Sequence, residues 1–338
     1  MPEPSRRSGR TRRRRPAVHL GPDSPLVGGP LLSEPQMGGH AEARAGAEEA
    51  PTHPQPPAPP DPDRSRDARQ PLPAADPGRE LDDWGRSESF VSRLDPLLNF
   101  YYRYWFRVQA EGVENVPARG GALLVANHSG ALPPDGPMVM QAIRNGHPSP
   151  RPLYMLGENW FRGFPGVGAM TNKLGLIAAH PENAQRLLHD EGRLAIVFPE
   201  GQKGSRKLFW QRYRLRRFGR GGFVRTAIRA RVPIVPIAVV GAEEAMPIFA
   251  QLRPLQRVSG LPYFPLNHAF PQFGLAAGLM YLPAKFRIRF LEPIDMAQHD
   301  PELAEDSAAI QAIAEQVRAL IQVQLDEMLA ERRSVWFG

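Results

Sequence analysis

The sequence predicts an α/β fold: a mainly parallel central sheet flanked by helices. Three observations carry this. First, short unbroken apolar runs recur after residue 80, as in 121–127 (GALLVAN), 194–198 (LAIVF) and 233–240 (PIVPIAVV). Parallel strands are covered on both faces, so they read as continuous apolar runs rather than alternating ones. Second, stretches with helical spacing stand between these runs, which is the βα order of a parallel sheet. Third, composition is lopsided. Residues 1–80 hold 17 of the 38 prolines and none of the 28 aromatics. Such a segment buries too little apolar surface to offset its ordering entropy. It is expected to be a disordered Pro/Arg-rich tail, leaving roughly 255 residues for one substantial α/β core. The expected organisation is the tail over 1–80, an amphipathic aromatic helical segment over 81–107, and the α/β domain over 108–333.

The elements follow in order. Pro96 suits the first turn of a helix, which would run through Leu97, Leu98, Phe100, Tyr101, Tyr104, Trp105 and Phe106. Arg103 and Arg107 sit among these aromatics. The mixture fits a membrane interface or a helix packed on the core. Strands are expected at 121–127, 153–156, 175–179, 194–198, 233–240 and 286–290. Helices are expected at 136–143, at 181–190 behind Pro181, and at 222–230. Pro233 and Pro236 are unusual in a central strand and suggest an irregular strand or a pocket wall. A last helix is expected to start at Asp300–Pro301, an N-cap followed by Pro. Its apolar residues Ile310, Ile313, Val317, Leu320, Ile321, Leu325 and Met328 keep spacings of three and four.

Charge and composition exclude several classes. The chain carries 42 Lys+Arg against 35 Asp+Glu and has no Cys. A disulfide framework, a Cys-containing zinc site and a thiol nucleophile are therefore excluded. No metal-ligand spacing such as His-Glu-x-x-His appears, so no metal is expected; there is also no Walker loop. Residues 1–20 hold seven Arg against one acid, Glu3, while residues 21–80 hold five Arg against ten acids. The Arg12–Arg15 cluster reads as a solvated arm or as a contact for nucleic acid or anionic lipid. The start is Arg-rich, but Gly, Pro and Asp follow rather than an apolar run, so it is not a secretory signal. The longest uncharged stretch, Val258–Ala284, has 27 residues but is broken by Pro262, Pro265, Pro271 and Pro283. That is no spanning helix, and a soluble or peripheral protein is expected.

Chemistry-bearing residues cluster at strand ends, where open α/β sheets place ligands. The first strand ends in Asn127-His128-Ser129-Gly130, with Asp135 seven residues beyond His128. Histidine titrates nearest neutrality and suits a general base, and a carboxylate on its other ring nitrogen would fix the tautomer. The fourth strand ends in Phe198-Pro199-Glu200-Gly201. The fifth carries Val232-Pro-Ile-Val-Pro236.

Together these blocks resemble the glycerolipid acyltransferase family, which includes lysophosphatidate and glycerol-3-phosphate acyltransferases. Its Asn-His-x4-Asp block matches Asn127, His128 and Asp135, its Phe-Pro-Glu-Gly block matches Phe198–Gly201, and its Val-Pro-Ile-x-Pro block matches Val232–Pro236. The resemblance covers about residues 97–294 and suits a less characterised bacterial branch. It implies an acyltransferase domain over 108–333. It also implies transfer of a fatty acyl group from acyl-CoA or acyl-carrier protein, as co-substrate with no other cofactor, to a glycerolipid hydroxyl. His128 would be the base and Asp135 its partner, without a covalent acyl-enzyme. Asn127, Glu200 and Gly201 would belong to the acceptor site, with Lys203, Arg206 and Lys207 as phosphate contacts. Ser129 lacks the Gly-x-Ser-x-Gly elbow of a hydrolase.

Three departures stand out. The His-to-Asp spacing is x6 rather than x4. The second block, near Gly175-Leu-Ile-Ala-Ala-His180, lacks the usual Arg. Gln202–Lys203 replaces the usual Thr-Arg, and Lys meets a phosphate as a point charge, not as a fork. The acceptor is thus a lysophosphatidate or related lysophospholipid, or a neutral mono- or diacylglycerol.

Residues 203–231 carry 11 Lys/Arg and no acid, interleaved with Phe209, Trp210, Tyr213, Phe218 and Phe223. The expected ligands are CoA phosphates, an acceptor phosphate or anionic lipid at a membrane surface. A solvated face is the plain alternative, and nucleic acid, with aromatics stacking on bases, is disfavoured. Phe264, Phe270, Phe273, Leu275, Leu279, Met280 and Tyr281 would line an acyl tunnel or touch a bilayer, or simply cover the core. The expected location is cytoplasmic, peripheral on the inner face of the membrane. The rival readings are a non-catalytic lipid- or RNA-binding protein on a degenerate scaffold, motivated by the widened His-to-Asp loop, and a hydrolase.

Overall fold

The computed structural model describes residues 80–129, 133–157, 167–201, 204, 206–252, 254, 265–269 and 280–338. The expected tail over 1–79, Lys203, and Phe264, Phe270, Phe273, Leu275 and Leu279 lie outside the described residues.

Seven strands form one sheet in the order β1-β9-β6-β2-β5-β3-β4. They are β1 (Gln109–Glu111), β2 (Ala122–Ala126), β3 (Leu153–Gly157), β4 (Leu176–Ala178), β5 (Leu194–Val197), β6 (Ile234–Val240) and β9 (Arg287–Phe290). β2 lies between β5 and β6 and is parallel to both, β3 runs parallel to β5 and β4, and β1 runs parallel to β9, which pairs antiparallel with β6. All five residues of β2 and all seven of β6 are buried, which is why they read as unbroken apolar runs. β7 (Ala250–Gln251) and β8 (Pro265–Leu266) make a separate ribbon.

Pro236 sits within a regular β6, not an irregular one. Its carbonyl accepts from Leu291 N (2.9 Å), where β9 has already ended; the next rung is Ile237–Phe290. A missing N–H at the end of a ladder leaves no central rung unmade.

One face of the sheet carries the main core. Leu124, Ile196, Val235, Ile237 and Ile288 pack there with Met138, Val139 and Ile143 of α2 (Asp135–Gly146). α1 (Glu88–Phe100) lies beside α2, joined by Gln141 and Arg144 to Asp95 and by Asn145 to Asn99. α1 does not start at Pro96. Ser87 is its N-cap, with Oγ accepting from Phe90 N (3.1 Å), and Pro96 lies inside the helix. The capping hydroxyl offers an orphan amide an acceptor, which Pro96 cannot do. The helix runs into a π turn, Tyr101–Trp105, closed by Phe106 N on Tyr101 O (2.8 Å). Leu98, Tyr101, Tyr102 and Trp105 face the core, while Leu97, Phe100 and Tyr104 are exposed.

The shorter helices are α3 (Val167–Lys173), α4 (Pro181–Gln185), which ends in a π turn over Arg186–Asp190, α5 (Gly222–Ala230) and α6 (Ala242–Ala245). α7 (Ser307–Glu331) packs on β6 and α5. It buries Ile310, Ile313, Val317, Ile321, Leu325 and Met328, each worth about 1.5–3 kcal/mol when fully removed from water. It begins later than expected. Asp300–Pro301 opens a separate 3₁₀ turn, Pro301–Glu305, and Asp306 caps α7 through Ala308 N and Ala309 N.

Candidate active site

The site forms where β2 ends. Asn127 continues the strand with its side chain: Nδ2 donates to Val239 O (2.9 Å) and Oδ1 accepts from Val239 N (2.8 Å). Both functions of the amide are used on β6, and Asn127 is buried. It therefore pins the exit of β2 and sends the chain on to His128 in a fixed direction.

Asp135 is the first residue of α2, where a helix N-terminus favours negative charge. Its Oδ2 meets His128 Nδ1 (3.0 Å), Ser129 N (3.1 Å) and Ser129 Oγ (3.2 Å), and its Oδ1 meets Gly136 N (3.0 Å). The two extra loop residues therefore do not part the pair. A carboxylate on Nδ1 favours the tautomer in which that nitrogen donates and Nε2 is the acceptor. The imidazole stacks on Phe198, the residue after β5, with ring centroids 4.3 Å apart, and its side chain is 17% exposed. Tyr281 stands close by. Burial and then the charge of Asp135 push its phenol well above the usual range, and its ring meets Tyr101 and Phe106 edge-on.

The Phe198–Gly201 turn is arranged differently. Gly201 has φ 53°, a left-handed conformation that glycine adopts at no steric cost. Glu200, however, turns inward, with no side-chain surface exposed. Its Oε1 accepts from Arg216 N (2.6 Å), and its Oε2 meets Lys207 Nζ (3.2 Å) and His128 N (3.4 Å). Lys207 is equally buried and reaches Glu243 Oε1 at 2.8 Å. Burial alone would lower the Lys207 ammonium, but Glu243 and Glu200 outweigh it and raise its pKa. Burial pushes Glu243 up to about 7 against the pull of Lys207. Neither Glu200 nor Lys207 thus presents a charge at the surface. The Arg206 carbonyl takes Gln251 Nε2 (2.7 Å).

The basic segment is mostly engaged in holding the fold. Arg212 lies over Phe209 and near Glu244, Arg217 binds Gln311, Arg225 binds Ala304 O, Arg229 pairs with Glu305, and Arg231 binds Ala297 O. Tyr213, Phe218 and Phe223 are buried, so they offer no faces for stacking on bases. Arg214, Arg216 and Arg220 point outward.

Sequence reasoning missed Glu243 and Glu244. Two acids directly after the most apolar strand, at its C-terminal end, were the available signal. Glu243 also accepts from Tyr213 N (3.1 Å), while Glu244 binds the Tyr213 hydroxyl and Arg332. Among the described residues, no group of three His, Asp or Glu side chains is placed to hold a metal.

A His–Asp pair delivered by the central strand of a mainly parallel sheet, with a Phe-Pro-Glu-Gly turn behind it, defines an acyltransferase scaffold. The Acyltransferase family profile matches residues 107–240. An uncharacterized protein of Mycobacterium tuberculosis is 44% identical over 259 residues, covering 76% of this chain and 72% of its own. A Gallus gallus protein, described as a DGAT1/2-independent enzyme synthesizing storage lipids, is 26% identical over 244 residues, covering 70% of this chain and 67% of its own. Among solved structures, the 1-acyl-sn-glycerophosphate acyltransferase PlsC of Thermotoga maritima aligns with a TM-score of 0.47 at 20% identity, covering 73% of this chain and 83% of that one. The chain belongs to one family with the Mycobacterium tuberculosis protein, and its residues 107–240 place it among the acyltransferases.

Proposed function

We propose that the protein transfers a fatty acyl group from acyl-CoA or acyl-carrier protein to a glycerolipid hydroxyl, with His128 as general base. The observation that carries this is the 3.0 Å contact between His128 Nδ1 and Asp135. Nε2 takes the proton of the acceptor hydroxyl as its oxygen attacks the thioester carbonyl. Asp135 holds the ring and stabilises the imidazolium, and the thiol leaves with the returned proton. Among the acceptors, a neutral mono- or diacylglycerol fits best. Lys207, one of the cations available for an acceptor phosphate, is paired inward, and the Gallus gallus relative is described as making storage lipids.

Thiol release from long-chain acyl-CoA tests this, with glycerol-3-phosphate, lysophosphatidate, mono- and diacylglycerol as separate acceptors. Acceptor-dependent release should fall ~10²–10⁴-fold in His128→Ala. Equal turnover in that variant would remove His128 from the reaction. Fatty acid released without any acceptor would mean hydrolysis instead.

The same reading puts the protein at a membrane surface. Among the described residues no helix is long and apolar enough to cross one. Leu97, Phe100 and Tyr104, exposed on one side of α1 and its π turn beside Arg93 and Arg103, would rest on anionic lipid at the inner face. Anionic vesicles should float the protein at low salt and lose it at high salt, as charges are screened. A Leu97→Ser/Phe100→Ser/Tyr104→Ser variant that floats equally well would rule this surface out.

A further inference from the structure

Glu200 and Lys207 sit directly behind His128, and their geometry speaks to what they do. Gly204 marks how close the parts are. A Cβ there would lie 2.6 Å from Glu200 Cβ and 3.1 Å from His128 Cβ. The first side-chain carbons of His128 and Glu200 thus close around one glycine with no room to spare. Glu200 Oε2 is shared by His128 N and Lys207 Nζ, and Lys207 is held from the far side by Glu243 at the end of β6. Glu243 is in turn fixed by Tyr213 N, and Tyr213 by its hydroxyl contacts to Gly241 N (2.7 Å) and Glu244. A chain of buried contacts therefore runs from α6 through one ammonium and one carboxylate to the backbone of the base.

We propose that Lys207, gripped between Glu200 and Glu243, is a positioning residue for acyl transfer: it sets the Glu200 carboxylate under the His128 N–H and so keeps the imidazole in register with Asp135. This rests on the reading of His128 as the base. Without the ammonium, Glu200 and Glu243 become two buried carboxylates with no cation between them. They repel or take up protons, and the Glu200 oxygen leaves the His128 amide. The ring then loses its fixed approach to substrate, and sub-ångström placement is what a general base depends on. An acceptor ligand would behave otherwise, because its loss weakens acceptor binding and spares turnover.

The test compares Lys207→Met and Glu243→Gln with the wild-type full chain, by steady-state kinetics and by NMR of the His128 ring, assigned with His128→Ala. Lys207→Met should lower kcat about 10²-fold while KM for the acceptor stays within about twofold. Glu243→Gln keeps an acceptor oxygen for Tyr213 N and leaves the Lys207–Glu200 pair, so kcat should fall less. The His128 ring signal should move in both variants, more in Lys207→Met, with the His147 and His189 signals unchanged. Where Lys207→Met is not obtained folded, Glu243→Gln carries the same readouts. A raised acceptor KM at unchanged kcat would overturn the proposal and make Lys207 a substrate contact. An unmoved His128 signal would overturn it too. If the wild type transfers to no acceptor, the reading of the reaction fails, but the His128 signal still decides whether Lys207 positions the ring.

Discussion

Two strand ends meet at the site, and they treat their charged residues in opposite ways. At the end of β2, His128 remains partly exposed with Nδ1 satisfied by Asp135. At the end of β5, Glu200 is withdrawn from solvent and spends both oxygens on Lys207, Arg216 N and His128 N. Both ends looked alike as sequence: a buried apolar run, then a titratable residue, then a turn. The difference lies in what other strands bring up behind them. α6, just past the end of β6, supplies Glu243, which draws Lys207 inward and Glu200 with it. A motif residue at a strand end can therefore belong to the chemistry or to the frame that aims it, and partners distant in sequence decide which.

The largest effect that would separate the two ends is on stability. Glu200→Ala leaves Lys207 with one partner and strips the His128 and Arg216 amides of their acceptor. Removing one partner of a buried ion pair costs about 3–5 kcal/mol, so urea unfolding should show a loss of that size. His128→Ala gives up its stack on Phe198 and its contact to Asp135, which keeps Ser129 and Gly136, and should cost less, about 2 kcal/mol. Stability spared in Glu200→Ala, with acceptor KM raised, would return Glu200 to the acceptor site and erase the contrast.

Legibility followed the same physics. β2, β5 and β6 could be read because strands covered on both faces carry unbroken apolar runs. α5 was bounded to the residue, since Gly221 and Arg231, both left-handed, close its two ends. β1 escaped notice: Gln109–Glu111 is a three-residue edge strand held only by β9, and nothing apolar marks it. α1 starts earlier than a first-turn Pro96 predicts, because the Ser87 hydroxyl holds the cap and Pro96 lies within the helix. In the site, the His–Asp pair was legible from neighbouring residues. The inward turn of Lys207 was not, because Glu243 lies on α6, 36 residues further along the chain, and one basic residue among many gives no sign of which will be buried. The burial of Tyr213 and Phe218 was not legible either, for a related reason. In residues 213–218 the apolar residues face in and the arginines face out, so the segment covers the core instead of presenting rings.

The smallest effect is also the most specific to the frame. Burial holds the Glu243 carboxyl up to about 7, against the ordinary 4.5 of an exposed glutamate in the unfolded chain. A carboxyl that binds its proton more tightly when folded stabilises the fold fully below the unfolded pKa. That contribution is lost as pH rises through the folded one. The stability of the wild type relative to Glu243→Gln, which mimics the protonated form at every pH, should therefore decline between about pH 4.5 and about pH 7 and then level off. Thermal unfolding of both proteins across that range measures it. A difference that instead grows with pH would mean that Lys207 more than offsets burial, so that the pair is fully ionised in the folded protein.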